Sequence, residues 1–245
     1  MSVKLFILGR PGSGKSSAAR RIVKLARRRD CSAIRVNDYD ILQEMFKADF
    51  EHNKFRSTEY NGFDVVDFSI MDTALKEAEK RARKQILSAD IIVIEFARDN
   101  YGEALKHFSR AFLQDAYFLF LDTDTKTCIH RIHNRAANPS TSDDHFVSEK
   151  ILSCYYHTQE MPSTFAVEYG IDKGKIKVIN NRGSRDKFDK KINDFVNSIF
   201  EQGYFLTHRG VLWSLVEYFN QAVKAYKEAF VSMLLMLQKS KQIHY

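Results

Sequence analysis

Residues Gly9-Arg10-Pro11-Gly12-Ser13-Gly14-Lys15-Ser16 fit the pattern G-x-x-x-x-G-K-[ST], the tightest constraint on fold anywhere in the chain. That pattern needs a buried strand before it and a helix after it. Val3 to Leu8 is a largely apolar run, and Ala18, Ile22, Leu25 and Ala26 recur at helical spacing through about Arg29. The glycines let successive backbone N–H groups turn inward onto phosphate oxygens. Lys15 brings a mobile positive charge, the Ser16 hydroxyl suits Mg²⁺, and the helix that starts there directs its positive end at the same anion. The stretch therefore predicts a triphosphate cradle built from Gly9, Pro11, Gly12, Ser13, Gly14, Lys15, Ser16 and Ser17.

Further along, apolar runs alternate with amphipathic segments. Ala33 to Val36 reads as a second strand, Ile91 to Ile94 as a third, Ala116 to Leu121 as a fourth and Ile176 to Ile179 as a fifth. Helices are expected over Ile41 to Phe50, from Val65 through Ile86, over Asn100 to Phe112, Thr125 to about Ala136 and Phe146 to His157. A closing helix is lined by Phe188, Ile192, Phe195, Val196 and Ile199. Asn61-Gly62 marks a turn within a polar, aromatic-dotted stretch. The pattern predicts an α/β fold, a five-stranded parallel sheet with helices on both faces in three layers. Ligands of such sheets bind beyond the carboxyl ends of the strands, where Asp38, Glu95, Asp122 and Asn180 stand.

The 245 residues fit one sizeable domain with an appendage, and 44% hydrophobic residues are ample for a core. A net charge of +7 suits polyanionic ligands and leaves weak nucleic-acid binding open. Cys31, Cys128 and Cys154 form no C-x-x-C pair. Their spacing, with a start that lacks a signal-peptide pattern, leads to an expected cytoplasmic setting. No run approaches the roughly 20 apolar residues of a membrane span. His130, His133 and His145 lack thiol partners and H-E-x-x-H spacing, which disfavours zinc. Residues 204–245 carry a wide apolar helical stripe with a basic edge, expected to pack on the core or to form a homodimer; binding to a membrane surface is a lesser reading.

At the level of these motifs the chain resembles the P-loop nucleoside and nucleotide kinases, in the adenylate kinase-like and zeta-toxin-like group, over about residues 1–200. No N-K-x-D motif for guanine recognition is present. The resemblance implies a kinase domain over 1–203, an acceptor-binding region at 39–87, a lid at 131–147, and ATP and Mg²⁺ as donor and cofactor. It places Arg131 and Arg135, four apart on one helix face, at the lid. It makes Arg98 an acceptor-site or phosphate-clamping arginine, and sets Asn181-Arg182-Gly183 where the family packs adenine. In relatives that phosphorylate hydroxyls, a carboxylate at Asp38 takes the acceptor proton, with Asp40 as its alternative. Glu95, at the end of an otherwise apolar strand, suits either Mg²⁺, held through water, or the role of base.

Those residues make the expected enzyme a phosphotransferase acting on a small molecule, a nucleoside or (deoxy)nucleoside monophosphate. A kinase of another hydroxyl (a sugar or a polynucleotide 5′ end) and a nucleotide-switched binding module working through 204–245 stay open. Arg10 has no assigned role. Asp143-Asp144-His145 ends the lid loop, with Asp144 a candidate cap for the next helix. Arg20 reads as part of a solvated helix face.

Overall fold

The structure is a computed structural model that describes residues 2–141, 143–156, 158 and 160–201. The expectations for 204–245, the homodimer, the membrane-surface contact and the switch among them, lie outside the described residues.

Strand β1 (Val3–Leu8) runs into the glycine loop, which opens α1 (Lys15–Arg27). Next come β2 (Ala33–Asn37), α2 (Asp38–Ala48), β3 (Phe55–Ser57), β4 (Phe63–Val65) and α3 (Ser69–Lys84). Then follow β5 (Ile91–Phe96), the short helices α4 (Tyr101–Leu105) and α5 (Arg110–Leu113), β6 (Tyr117–Asp122) and α6 (Thr125–Ala137). Helices α7 (Glu149–Cys154) and α8 (Pro162–Tyr169), strand β7 (Ile176–Asn180) and α9 (Arg185–Glu201) complete the described chain.

Five strands form one parallel sheet in the order β2-β5-β1-β6-β7. β1 lies at its centre with both neighbours in register, Leu8 beside Phe96 of β5 and Phe120 of β6. Such a strand has no solvent face, which is why all but Lys4 of its six residues are buried. Phe6 and Leu8 join Ala74, Leu75 and Ala78 of α3 in one apolar cluster, with Phe6 stacked on Phe118 at 5.0 Å. The polar ends of β2, β5 and β6 leave the sheet on the side of the glycine loop, so one edge of the sheet gathers the chemistry.

Several elements differ from their expected form. α2 begins at Asp38, three residues early, because the Asn37 side chain accepts from Tyr39 N at 3.0 Å and caps it. The stretch around Asn61-Gly62 is a β3–β4 hairpin pairing Phe55 with Val65, and Tyr60 and Asn61 make its turn at positive φ. The helix expected over 100–112 is broken in two. Ser109 caps the second piece, and the Glu79 carboxylate accepts from Ser109 N at 2.7 Å and Oγ at 2.8 Å. The helix expected over 146–157 shrinks to α7, capped by Ser148 rather than Asp144. Helix α8 was not anticipated, although Pro162 in its first turn and left-handed Gly170 at its end mark it.

Candidate active site

The glycine loop is shaped by positive-φ backbone at Gly9, Gly12 and Gly14, with φ of 145°, 81° and 104°. Gly12 has a second reason to be glycine: a Cβ there would meet the Cys128 carbonyl oxygen at 2.6 Å. Asn181, from the exit of β7, donates to Ser13 O at 2.8 Å and braces the loop from behind. Tyr101 braces it from the side, its hydroxyl accepting from Gly9 N at 2.7 Å. Arg10, unassigned from sequence, fastens the loop to two other segments, donating to Tyr156 O at 2.6 Å and Thr123 O at 3.0 Å.

Lys15 folds back over this loop and donates to Gly9 O at 2.9 Å and Arg10 O at 3.1 Å. Burial lowers its pKa, and the nearby carboxylates of Asp38 and Glu95 offset part of that. The ammonium is thus held beside the loop by weak neutral acceptors that an anion readily replaces.

Glu95 is 1% exposed at the end of β5. Its Oε1 accepts from Ser16 Oγ at 3.4 Å and from Arg35 Nε at 2.8 Å, with a closer contact to the Arg35 terminal nitrogen. Its Oε2 is sealed from solvent with no hydrogen-bond partner among the described residues. Burial raises the carboxyl's pKa, against the pull of Arg35 and Lys15. An orphaned carboxylate oxygen beside a serine hydroxyl is an all-oxygen donor pair, which suits a hard cation completed by phosphate and water. Ser16 and Glu95, the expected metal residues, therefore fit Mg²⁺. Among the described residues no cluster of three or more His, Cys, Asp or Glu side chains is arranged to hold a metal without such help.

Arg35 was missed in the sequence because it sits mid-strand in an otherwise apolar run. It bridges Glu95 and Asp143, donating to Asp143 Oδ1 at 2.6 Å and Oδ2 at 3.1 Å. Burial works against its charge, but Glu95 and Asp143 outweigh burial and raise its pKa. Asp143 also takes Arg20, which is exposed on α1 as expected and also ties that helix to the loop after α6. Asp144 accepts from Ser140 N at 2.9 Å and Thr141 N at 2.8 Å and tightens that loop; it caps no helix.

Arg131 and Arg135 share the inner face of α6, and both line the central cavity. Arg131 donates to Asn181 O at 2.8 Å, whereas the Arg135 Nε is buried with no partner among the described residues. Asp38 lines the same cavity, but Arg98 does not. Arg98 is 3% exposed and lies beneath the floor, donating to Asp38 Oδ2 at 3.1 Å, to Ala97 O at 2.6 Å and to Met71 O. Its terminal nitrogens are taken by Asp38 and two main-chain carbonyls, its Nε has no partner among the described residues, and it does not line the cavity, which differs from the expected phosphate clamp. Asp40 is exposed and outside the cavity, which corrects it as an alternative base. Arg182 also stays outside, with its Nε 3.4 Å from Asp124 Oδ2, so its side chain is turned to Asp124.

The cavity has a volume of about 320 Å³ and runs from the glycine loop to a wall of rings. Tyr39 stacks on Phe63 at 5.4 Å and on His145 at 3.4 Å, both near parallel. Phe68 stacks on Tyr155 at 4.6 Å. Burial raises the Tyr39 pKa to about 12. Burial, then Arg135, Lys15 and Arg35, hold His145 well below the ordinary imidazole range, so it is neutral.

Residues 5–152 match the family described as AAA domain. The chain belongs to that family. The match spans the glycine loop, Asp38, Glu95 and the arginines of α6, and stops short of β7 and Asn181. No curated protein matches the sequence. Among solved structures, the chain is similar to a gluconokinase from Sinorhizobium meliloti at 15% identity, with 84% of this chain and 98% of that one covered at a TM-score of 0.47. It is similar to a shikimate kinase from Acinetobacter baumannii at 13% identity, covering 81% and 94% at 0.45. An APS kinase from Mycobacterium tuberculosis, in complex with AMPPNP and APS, shares 18% identity over 80% and 98% at 0.44. The α/β architecture expected from the sequence is the one observed. Within the described residues no helix is long and apolar enough to cross a membrane.

Proposed function

We propose that the protein is an ATP- and Mg²⁺-dependent phosphotransferase that moves the γ-phosphate to a small acceptor, a nucleoside or (deoxy)nucleoside monophosphate. One observation carries this reading: a single cavity holds Lys15 and Ser16 at one end and stacked rings at the other. A hydrolase needs only the first end. The second is a place for another molecule within reach of the phosphates.

Phosphoryl transfer is governed by positioning and by neutralising charge on the equatorial oxygens. The N–H groups of the glycine loop and the Lys15 ammonium bind and orient the β- and γ-phosphates. Arg131 and Arg135 approach from α6 to balance charge as the γ-group departs. Ser16 and Glu95 would hold Mg²⁺, which would help neutralise the charge of the triphosphate. Asp38, fixed by Arg98 and lining the cavity, would take the proton of an acceptor hydroxyl. The stacked rings exclude water, favouring acceptor attack over hydrolysis.

A coupled assay of ADP release over a panel of nucleosides and nucleotides tests the reading. Acceptor-stimulated turnover that Lys15→Ala abolishes is expected. Acceptor-independent hydrolysis, equal in wild type and Lys15→Ala, would overturn it.

A further inference from the structure

From Met1 to Arg29 the chain carries nine Lys and Arg side chains and no carboxylate; its first acidic residue is Asp30. The fold gathers five of those cations on one surface. Between Lys15 and Arg29 every exposed residue is Arg or Lys, namely Arg20, Lys24, Arg27, Arg28 and Arg29. The apolar positions of α1 turn the other way: Ala18, Ala19, Ile22, Leu25 and Ala26 are buried, and Val23 is half-buried. Arg20, Lys24 and Arg27 stand four and three residues apart and so share a face, with Arg28 one turn beyond Lys24.

Few of these charges are neutralised. Asp143 takes Arg20, and Arg21, at the side of the strip, donates to Asn193 Oδ1 at 2.9 Å and lies 3.8 Å from Asp189 of α9. Lys24, Arg27 and Arg28 make no ion pair among the described residues. The helix dipole favours cations in the last turn, but like charges three and four apart repel one another, so the run does little for the fold. A solubilising face mixes both signs; a face of one sign is complementary to a polyanion. A helix that lies on a membrane needs an apolar face, and single-stranded nucleic acid is gripped by aromatic side chains that stack on its bases. This face exposes neither apolar nor aromatic residues. A duplex hides its bases and presents one phosphate charge per about 1.7 Å of axis, and Arg20 to Arg28 covers about 12 Å of helix.

We propose that the exposed face of α1, centred on Lys24, Arg27 and Arg28, docks the phosphate backbone of a nucleic-acid duplex without reading its sequence. This goes beyond the phosphotransferase reading and does not depend on it. The cations displace counterions from the backbone, so affinity falls steeply as salt rises. Arg20, which also lines the cavity, ends the strip beside the glycine loop and brings the docked duplex near the triphosphate site.

Fluorescence anisotropy of a labelled DNA duplex of about 20 base pairs, titrated with the full chain between about 50 and 200 mM salt, tests this. A Kd of roughly 10⁻⁶ to 10⁻⁴ M is expected near physiological salt, with log affinity falling against log salt at a slope of about −3 to −5. The triple variant Lys24→Gln/Arg27→Gln/Arg28→Gln changes exposed residues outside the cavity. It is expected to bind at least about tenfold more weakly, with a slope shallower by about 3. Equal affinity and slope in the variant and wild type overturn the proposal. Tighter binding to a single strand of the same length overturns it too, as does binding to phosphatidylserine vesicles with none to the duplex. Circular dichroism checks that the variant is folded. If it is not, Lys24→Gln alone takes its place and must make the slope shallower by about 1.

Discussion

At the glycine-loop end of the cavity the wall is mostly backbone. Gly12 and Gly14 hold positive φ, Asn181 and Tyr101 brace main-chain atoms, and Lys15 rests on main-chain carbonyls. At the opposite end it is side chain: Tyr39 from the start of α2, Phe63 and Asp64 from a hairpin, Phe68 before α3 and Tyr155 after α7. A backbone cradle recognises what every triphosphate shares. A side-chain wall recognises what makes one acceptor unlike another, and it changes with a few substitutions.

Lys15→Ala is the most severe way to break the backbone-built end. Turnover should fall on the order of 10²- to 10³-fold, with the fold unchanged by circular dichroism. A smaller loss would show that the α6 arginines carry the charge alone. Glu95→Gln keeps shape but removes the orphaned charge beside Ser16. The Mg²⁺ concentration for half-maximal rate should rise roughly tenfold to a hundredfold, read by titrating the metal at saturating ATP. At the ring-built end, Phe63→Ala deletes a buried ring that touches Tyr39, Phe46 and Phe55. It should cost about 3 kcal/mol of stability in denaturant unfolding and raise the acceptor KM while sparing the ATP KM.

The smallest effect concerns pH. His145 is neutral when folded because burial and the charges of Arg135, Lys15 and Arg35 lower its pKa, with Asp144 acting weakly the other way. The unfolded chain therefore binds a proton first, and stability declines as pH falls below about 6.5, by at most roughly 1.4 kcal/mol per pH unit. His145→Gln should flatten that decline between pH 6.5 and 5 in urea melts. An equal slope in both proteins would mean that His145 does not carry it.

The same contrast explains what was legible in the sequence. The donor end is written locally: Gly9 to Ser16 are contiguous, and β1 and α1 follow from apolar spacing on either side. Asp38, Glu95, Arg131 and Arg135 were accessible because strand ends and helix faces obey fixed periods. The ring-built wall is assembled from separated segments, so Asp64 and Phe63 gave no local signal. Arg35 was hidden because a strand's apolar run conceals a charge whose partners lie 60 and 108 residues away. Arg98 shows the converse. Its position suggested a clamp, and only packing revealed that its terminal nitrogens bond Asp38 and the carbonyls of Met71 and Ala97 from below the cavity. α8 is marked locally by Pro162 and Gly170, but its apolar residues do not gather on one face, so periodicity does not reveal it.

Arg35 divides one guanidinium between Glu95, beside Ser16, and Asp143, on the loop that follows α6. Whatever cation draws on Glu95 changes what Arg35 has left for Asp143, and whatever frees Asp143 returns charge to Glu95. Thermodynamic linkage makes the two effects equal in size. The loop and the metal thus compete for a common creditor, and the settling of one account is felt at once in the other.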